Sequence, residues 1–527
     1  MSFENATSAN KQIARAAGTV MLALVMSSLT GLLRQILVAN TFGTQADIDA
    51  FNAANRVSET LFTLIAGGAL ASAFIPVFTD LITHERRQYA WKLASSIANI
   101  ILVVLIFASV VAFIFAPWIV RNLLAPGFSD NPAQEELTVS LLRLMLPAAI
   151  LFGLSGLLMG ILNSHQIFFI PALAPSMYQL GMIIGILALA PFAGIYGLAW
   201  GVVLGAGLHL GLQIPYLFRL NAKYYPTFGL DNVDVQEVIR LIIPRLFGVA
   251  VVQLNFWVNT FIASRLVEGS LTGIVFAFAL MLMPQAAIAQ SIAIAAMPTF
   301  SAQVALGKLG EMRSSLASSL RGVLFLSIPA ALGLILLREP LVTTLYQRGA
   351  FDERSTELVA WALLWFGLGL VSHSVVEILA RAFYALHDTR TPVLVGVAAM
   401  SLNMILSFSL VGMFARAGWM PHGGLALANT IATSLEMVGL FILMRRRLGG
   451  LEGLTILKGF SSALFGGIVM AVILFGWITI TGSQPDWLVV LGGVVFGALV
   501  YGILLLVMGV SEARTLIQAI SARLGVS

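Results

Sequence analysis

The chain repeatedly sustains apolar runs longer than a globular core needs, and this restricts the fold more than any other feature. A first set lies near 14–40, 48–79, 88–120, 135–163, 168–192 and 194–219. A second lies near 236–265, 271–303, 310–337, 355–386, 389–415 and 421–444, with two more near 457–481 and 486–510. Crossing a hydrocarbon core of about 30 Å takes roughly 20 apolar residues. Backbone groups in lipid must find partners inside their own segment, so each run is expected to be a helix. A β-barrel would instead show alternating segments of about ten residues. The expected fold is therefore an all-α polytopic membrane protein of about fourteen transmembrane helices. A chain 59% hydrophobic and 10% charged, with mean hydropathy +0.95, agrees.

The first twelve runs fall into two halves that share landmarks. Pro76, Gly127 and Pro171 are separated by 51 and 44 residues, and Pro298, Gly349 and Pro392 by 51 and 43. The flanking text agrees loosely: Phe74-Ile75-Pro76-Val77-Phe78 against Ala296-Met297-Pro298-Thr299-Phe300. Three coincidences in register point to duplication, the commonest design of secondary transporters. The organisation read from it is an N-terminal lobe over 1–225, a C-terminal lobe over 226–448, two further helices over 449–510, and an amphipathic cytoplasmic tail over 511–527. Six spans per lobe is an even number, so corresponding helices run in the same direction. The lobes are then related by a pseudo-two-fold axis along the membrane normal.

Basic residues set the orientation. Arg86, Arg87 and Lys92 follow span 2, Arg219 and Lys223 span 6, Lys308 and Arg313 span 8, and Arg445, Arg446 and Arg447 span 12. The loops after spans 1, 5 and 13 carry no Lys or Arg. Positive charge marks the cytoplasmic face, so both termini are expected there. The pI of 9.6 follows from this topology and favours anionic membrane lipids as neighbours. It is not the footprint of a nucleic-acid partner, which needs a basic soluble module. With no cysteine, disulfides and thiolate metal sites are excluded. No Walker A, HExxH or dinucleotide-binding loop stands in a fitting context, so neither cofactor nor metal is expected. Loops no longer than about twenty residues leave no room for an ATPase domain. Transport must draw on an ion gradient, the membrane potential or the substrate gradient, which makes a coupling cation a candidate partner. The chain is expected to act as a monomer and not as an enzyme.

Charged residues inside spans are costly and usually face a cavity or a partner. Asp49, Asn52, Arg56, Glu59 and Thr63 follow helical spacing along one face of span 2. Two arrangements fit them: a water-filled cavity, or a surface-proximal pair of Arg56 with Glu59. Arg34 lies in span 1, Arg245, Gln253 and Asn259 in span 7, and His373, Glu377 and Arg381 in span 10. Arg34, Asp49, Asn52, Arg56, Glu59, Arg245 and Asn259 are the substrate-binding candidates, and the charged ones are expected to line one polar chamber between the lobes, open to one side at a time. Glu377 and Arg381 are candidates for gating or ion coupling, although their i,i+4 spacing equally fits a self-neutralising bridge. Ala66-Gly67-Gly68-Ala69 and Pro284 permit close packing or a bend, and the glycines of span 4 (Gly153, Gly156, Gly160) and span 6 (Gly201, Gly205, Gly207) fit close packing.

Several motifs together resemble a known family. Gly31-Leu-Leu-Arg34, Phe42-Gly43, Asp49-Ala50-Phe51 and Ala73-Phe74-Ile75-Pro76 are similar to the opening of the MurJ (MviN) family. Leu124-Ala-Pro-Gly127-Phe128, Ile170-Pro171-Ala172, Tyr346-Gln-Arg-Gly349-Ala-Phe351 and Asp388-Thr-Arg-Thr-Pro392 continue it in order. The resemblance implies a fourteen-helix exporter of the multidrug/oligosaccharidyl-lipid/polysaccharide superfamily in the bacterial inner membrane. It implies movement of lipid II, the undecaprenyl-pyrophosphate-linked peptidoglycan precursor, to the outer face by alternating access. Cavity cations would meet the pyrophosphate, and spans 13 and 14 would form a groove for the lipid tail.

The chain also departs from the family pattern. Ser28 stands where an arginine is usual, Phe62 where another is expected, Gly67 at an acidic position, and Phe278-Ala279 at an Asp-Arg pair. These departures raise an alternative: a paralogue exporting a different lipid-linked glycan, or a non-transporting scaffold for envelope assembly. An intramembrane glycosyltransferase would need more than the short loop holding Asp130, Glu135 and Glu136. A drug/cation antiporter would not need the two extra spans.

Overall fold

The computed structural model describes residues 23, 25–65 and 69–510. The Gly67-Gly68 pair and the amphipathic tail over 511–527 lie outside the described residues, as do the side chain of Arg245 and the start of span 1. Two compact units divide between Glu268 and Gly269.

In the first unit the helices are α1 (25–42), α2 (Ala46–Ile65), α3 (Ala69–Thr83), α4 (Arg87–Ile114), α5 (Pro132–Ser164), α6 (Phe169–Ile184), α7 (Ile195–Gly211) and α8 (Val233–Ala263). The second unit holds α9 (Ser270–Gln285), α10 (Ser291–Ala305), α11 (Leu309–Leu336), α12 (Arg338–Tyr346) and α13 (Glu353–Ala385). It continues with α14 (Arg390–Arg416), α15 (His422–Arg447), α16 (Gly453–Thr481) and α17 (Asp486–Val507). Among the described residues eleven helical segments are long and apolar enough to cross a membrane. A twelfth is added if α8, bent by 42° between Ile243 and Gly248, counts as one span. Of the run expected over 48–79, α2 and α3 cover the described part, and residues 66–68 between them lie outside the described residues.

The duplication is visible in element lengths and interruptions. α4 and α11 each have 28 residues, and α5 and α13 each have 33. Pro76 sits inside α3 and Pro298 inside α10, while Pro171 and Pro392 fall in the first turns of α6 and α14. In the second unit a π-helical segment, Ala286–Gln290, stands between α9 and α10. Such interruptions free backbone groups that a membrane helix tolerates only where the surrounding protein satisfies them.

Packing assigns α8 to the first unit. Val235 and Val238 are fully buried in a cluster with Phe74, Phe78, Trp91 and Ile161 from α3, α4 and α5. The helix that opens the second half of the sequence repeat thus builds its core contacts with the first half. Glycine lets α6 and α7 touch backbone to backbone: a Cβ on Gly181 would stand 2.2 Å from Gly205 Cα. Gly207, two residues on and so on the opposite face, has open space.

Candidate functional site

Helical periodicity puts the polar residues of α2 on one face, and that face opens onto a cavity of about 420 Å³ within the first unit. Its walls include Arg56 and Glu59 from α2, Phe152 from α5, Tyr178 from α6, His209 from α7 and Gln253 from α8. The volume falls within the roughly 300–1,000 Å³ usual for small-ligand pockets.

Arg56 Nη1 donates to Glu59 Oε2 at 2.9 Å, and Asn55 Nδ2 donates to Glu59 Oε1 at 2.9 Å. The Arg56 guanidinium stands 5.0 Å from the Phe256 ring centroid, a favourable placement of cation over π-face. Its Nε is buried without a hydrogen-bond partner among the described residues. Arg56 and Glu59 thus pair with each other and also line this cavity. Pairing matters because a desolvated lone charge costs several kcal/mol, whereas a hydrogen-bonded pair is tolerable. Thr60 braces this face against α8: its hydroxyl donates to Arg56 O at 2.7 Å and accepts from Trp257 Nε1 at 2.8 Å.

The remaining candidates are dispersed. Arg34 Nη1 lies 3.6 Å from Met182 Sδ, and its buried Nε has no partner among the described residues. Tyr178 stands within electrostatic reach of both Arg34 and Glu59 and shares a hydrogen bond with Asn55. Asp49 is 3% exposed near the start of α2, and Asn52 is half-buried. Neither lines the cavity, nor does Asn259, whose buried Oδ1 has no partner among the described residues. In the second unit Arg381 Nη2 donates to Glu377 Oε1 at 2.8 Å, which is the self-neutralising bridge that the spacing allowed.

One buried network escaped sequence reasoning. Ser155 Oγ lies 2.6 Å from His209 Nδ1 and accepts from Gln213 Nε2 at 2.6 Å. The only signal was the i,i+4 pair His209 and Gln213 in an apolar run, because Ser155 is 54 residues away in sequence. Among the described residues no cluster of three or more His, Cys, Asp or Glu could hold a metal ion.

The second unit carries a groove of another kind, about 680 Å³, between α11, α16 and α17. Phe325, Pro329, Met470, Leu474, Val494 and Tyr501 are among its walls, and among the described residues no charged side chain lines it. Tyr501 Oη is spent on Phe325 O at 2.8 Å, so even its polar group leaves the groove greasy.

Comparison with known proteins places these features in a family. A family model described as Lipid II flippase MurJ matches residues 38–492. The Lipid II flippase MurJ of Burkholderia cenocepacia is 30% identical over 506 residues, covering 93% of this chain and 96% of that protein. A probable lipid II flippase MurJ of Rhizobium meliloti is 31% identical over 408 residues, 76% of each chain. Among solved structures, a lipid II flippase MurJ in an inward closed conformation superposes with a TM-score of 0.81 at 24% identity, over 94% of this chain and 99% of that one. An inward-facing multidrug resistance MATE family transporter gives 0.69 at 14% identity, over 83% and 99%. At these identities the structural matches establish the fold.

Proposed function

This chain belongs to the Lipid II flippase MurJ family, and we propose that it carries an undecaprenyl-pyrophosphate-linked peptidoglycan precursor, lipid II, across the bacterial inner membrane. The observation that carries the proposal is the polar cavity of the first unit, where Arg56 and Glu59 face an otherwise apolar membrane interior. A pyrophosphate head cannot cross hydrocarbon alone, because unpaired charge there costs several kcal/mol per ion even after relaxation. Guanidinium groups replace its water with directed, charge-assisted hydrogen bonds. Arg34 and Arg56 both hold a buried Nε with no partner among the described residues, which suits them to accept such a ligand. Glu59 partly neutralises Arg56, which keeps binding weak enough for release.

The apolar groove of the second unit suits the lipid tail, since its lining among the described residues is apolar and uncharged. In this reading no bond of the substrate is made or broken. Alternating access moves the head, with both termini cytoplasmic and the chain acting as a monomer. Glu377 and Arg381 are the gating or ion-coupling pair, because opening their bridge would admit a cation at Glu377. The paralogue and scaffold alternatives rest on the arginines absent at Ser28, Phe62 and Ala279, while the family match over residues 38–492 favours the flippase reading.

The test is lipid II flipping in vesicles by wild type and Arg34→Ala at equal protein levels. Losing a desolvated hydrogen bond to a charged ligand costs roughly 1.5–3 kcal/mol, about a ten- to hundredfold loss of affinity. Arg34→Lys recovers only part of it, because an ammonium cannot reproduce the planar fork. Wild type moving no lipid II, beside a family member that does, would refute the proposal.

A further inference from the structure

The cavity holds more neutral hydrogen-bonding capacity than a pyrophosphate needs. Among the described residues Arg56 is the only cation that lines it and is already paired with Glu59, so this described lining is close to neutral. Its other polar walls are amide, hydroxyl and imidazole groups, interleaved with Phe62, Phe152 and Phe256. Phe62 and Phe152 sit 4.6 Å apart, and Phe152 stands edge-on to Tyr178 at 5.0 Å and to His209 at 5.4 Å.

The His209 network fixes which way that residue presents hydrogen. Gln213 Nε2 donates to Ser155 Oγ at 2.6 Å and to His209 O at 3.0 Å, which orients its amide. Ser155 Oγ, accepting from Gln213, turns its own proton toward His209 Nδ1 at 2.6 Å. The Nδ1 atom is then an acceptor, and a neutral imidazole that accepts at Nδ1 carries its proton on Nε2. Ser155 and Gln213 are both fully buried, so the relay is shielded from competing water. Nε2–H is the ring's free polar edge, in a side chain that lines the cavity, and it has no partner among the described residues. Across the pocket Gln253 brings a second amide, its Oε1 within 3.3 Å of Thr60 Oγ1.

Uncharged donors on rigid supports, set between aromatic faces, are poor ligands for a doubly charged anion. They match a sugar, which offers acceptor oxygens at its edge and C–H groups on its faces. We propose that the wall formed by His209, Gln253 and the phenylalanines is a saccharide subsite, selecting lipid-linked substrates by their glycan while the cations hold the pyrophosphate. This rests on the flippase reading above and deepens it. His209 touches the sugar, and Ser155 and Gln213 are positioning residues that act through it.

The experiment compares the affinity of lipid II with that of undecaprenyl pyrophosphate, which has the same anion and tail and no sugar. Detergent-purified full-length wild type, His209→Phe and Gln253→Leu are titrated with each. Removing one neutral donor weakens lipid II binding about two- to tenfold in each variant, with undecaprenyl pyrophosphate unchanged. The sugar-free ligand also reports whether each variant is folded. Equal losses for both ligands, or an unchanged ratio in either variant, overturn the subsite and leave the flippase reading standing. Wild type that binds neither ligand overturns the flippase reading, and the subsite with it.

Discussion

The two glycines that mark the sequence repeat are glycines for different reasons, and substitution separates those reasons. At Gly349 the backbone has φ +61°, a left-handed conformation that a β-carbon disfavours. At Gly127 the obstacle is crowding: a Cβ would stand 2.1 Å from Ser264 O, 2.5 Å from Ser264 C and 2.6 Å from Arg265 Cα. All three are backbone atoms at the end of α8, which also receives the Gly127 N–H at Ser264 Oγ, 3.2 Å away. Gly349→Ala should cost about 1–2 kcal/mol from the left-handed conformation alone. Asn tolerates that region, so Gly349→Asn should recover most of the loss. Gly127→Ala should reach the upper end of the roughly 1–3 kcal/mol typical of overpacking, because no flexible side chain can yield. Gly127→Asn should be worse still, since it adds volume where a methyl does not fit. The assay is heat-induced loss of folded protein in detergent for the four variants. An Asn as well tolerated at 127 as at 349 would refute the reasoning, as would an Asn at 349 more damaging than Ala.

Three further outcomes are expected. Glu59→Gln releases Arg56 from its 2.9 Å ion pair, and should tighten lipid II binding several-fold while slowing turnover; Arg56→Ala should weaken binding about tenfold, and equal, small effects from both in a titration would count against the cavity as head-group site. Arg447→Cys, in a chain with no native cysteine, should react with an impermeant maleimide only after the cells are opened, and labelling from outside would reverse the topology. Asp388 lies in the loop before α14, where the Thr391 backbone N–H and hydroxyl hold its carboxyl below the usual carboxylate range. A depressed folded pKa gives stability that is present above the unfolded carboxylate value and is lost as pH falls through the folded one. The melting difference between wild type and Asp388→Ala should therefore be constant near neutrality and shrink below about pH 4; a difference growing with acidity would contradict it.

The fold was legible because the bilayer leaves so few options. Apolar runs near 135–163 and 355–386 became helices over Pro132–Ser164 and Glu353–Ala385, since a backbone in lipid has no alternative to a helix. The site was legible only in part. Periodicity along one helix shows which residues share a face, and it found Arg56, Glu59 and Thr63 on the cavity wall. It cannot show where along that face the cavity ends, so Asp49 and Asn52 were grouped with residues deeper in the helix. Nor can it show which neighbour a face meets. Tyr178 and His209 come from helices distant in sequence, and the hydrogen bond fixing the imidazole spans 54 residues.

The duplication deepens this contrast. In the register set by Pro76 with Pro298 and Gly127 with Gly349, Arg56 corresponds to Phe278 and Glu59 to Met281. Phe278 packs against Phe366 at 5.2 Å and against His373 at 6.3 Å, an aromatic setting where its counterpart has an ion pair. The prolines and glycines keep the same register in both halves, whereas the polar side chains before them do not. Span length and helix direction constrain both copies alike, so the repeat survives in prolines and glycines. The chemistry of the cavity has no such constraint to keep the halves alike, and this chain places its paired arginine and carboxylate in the first.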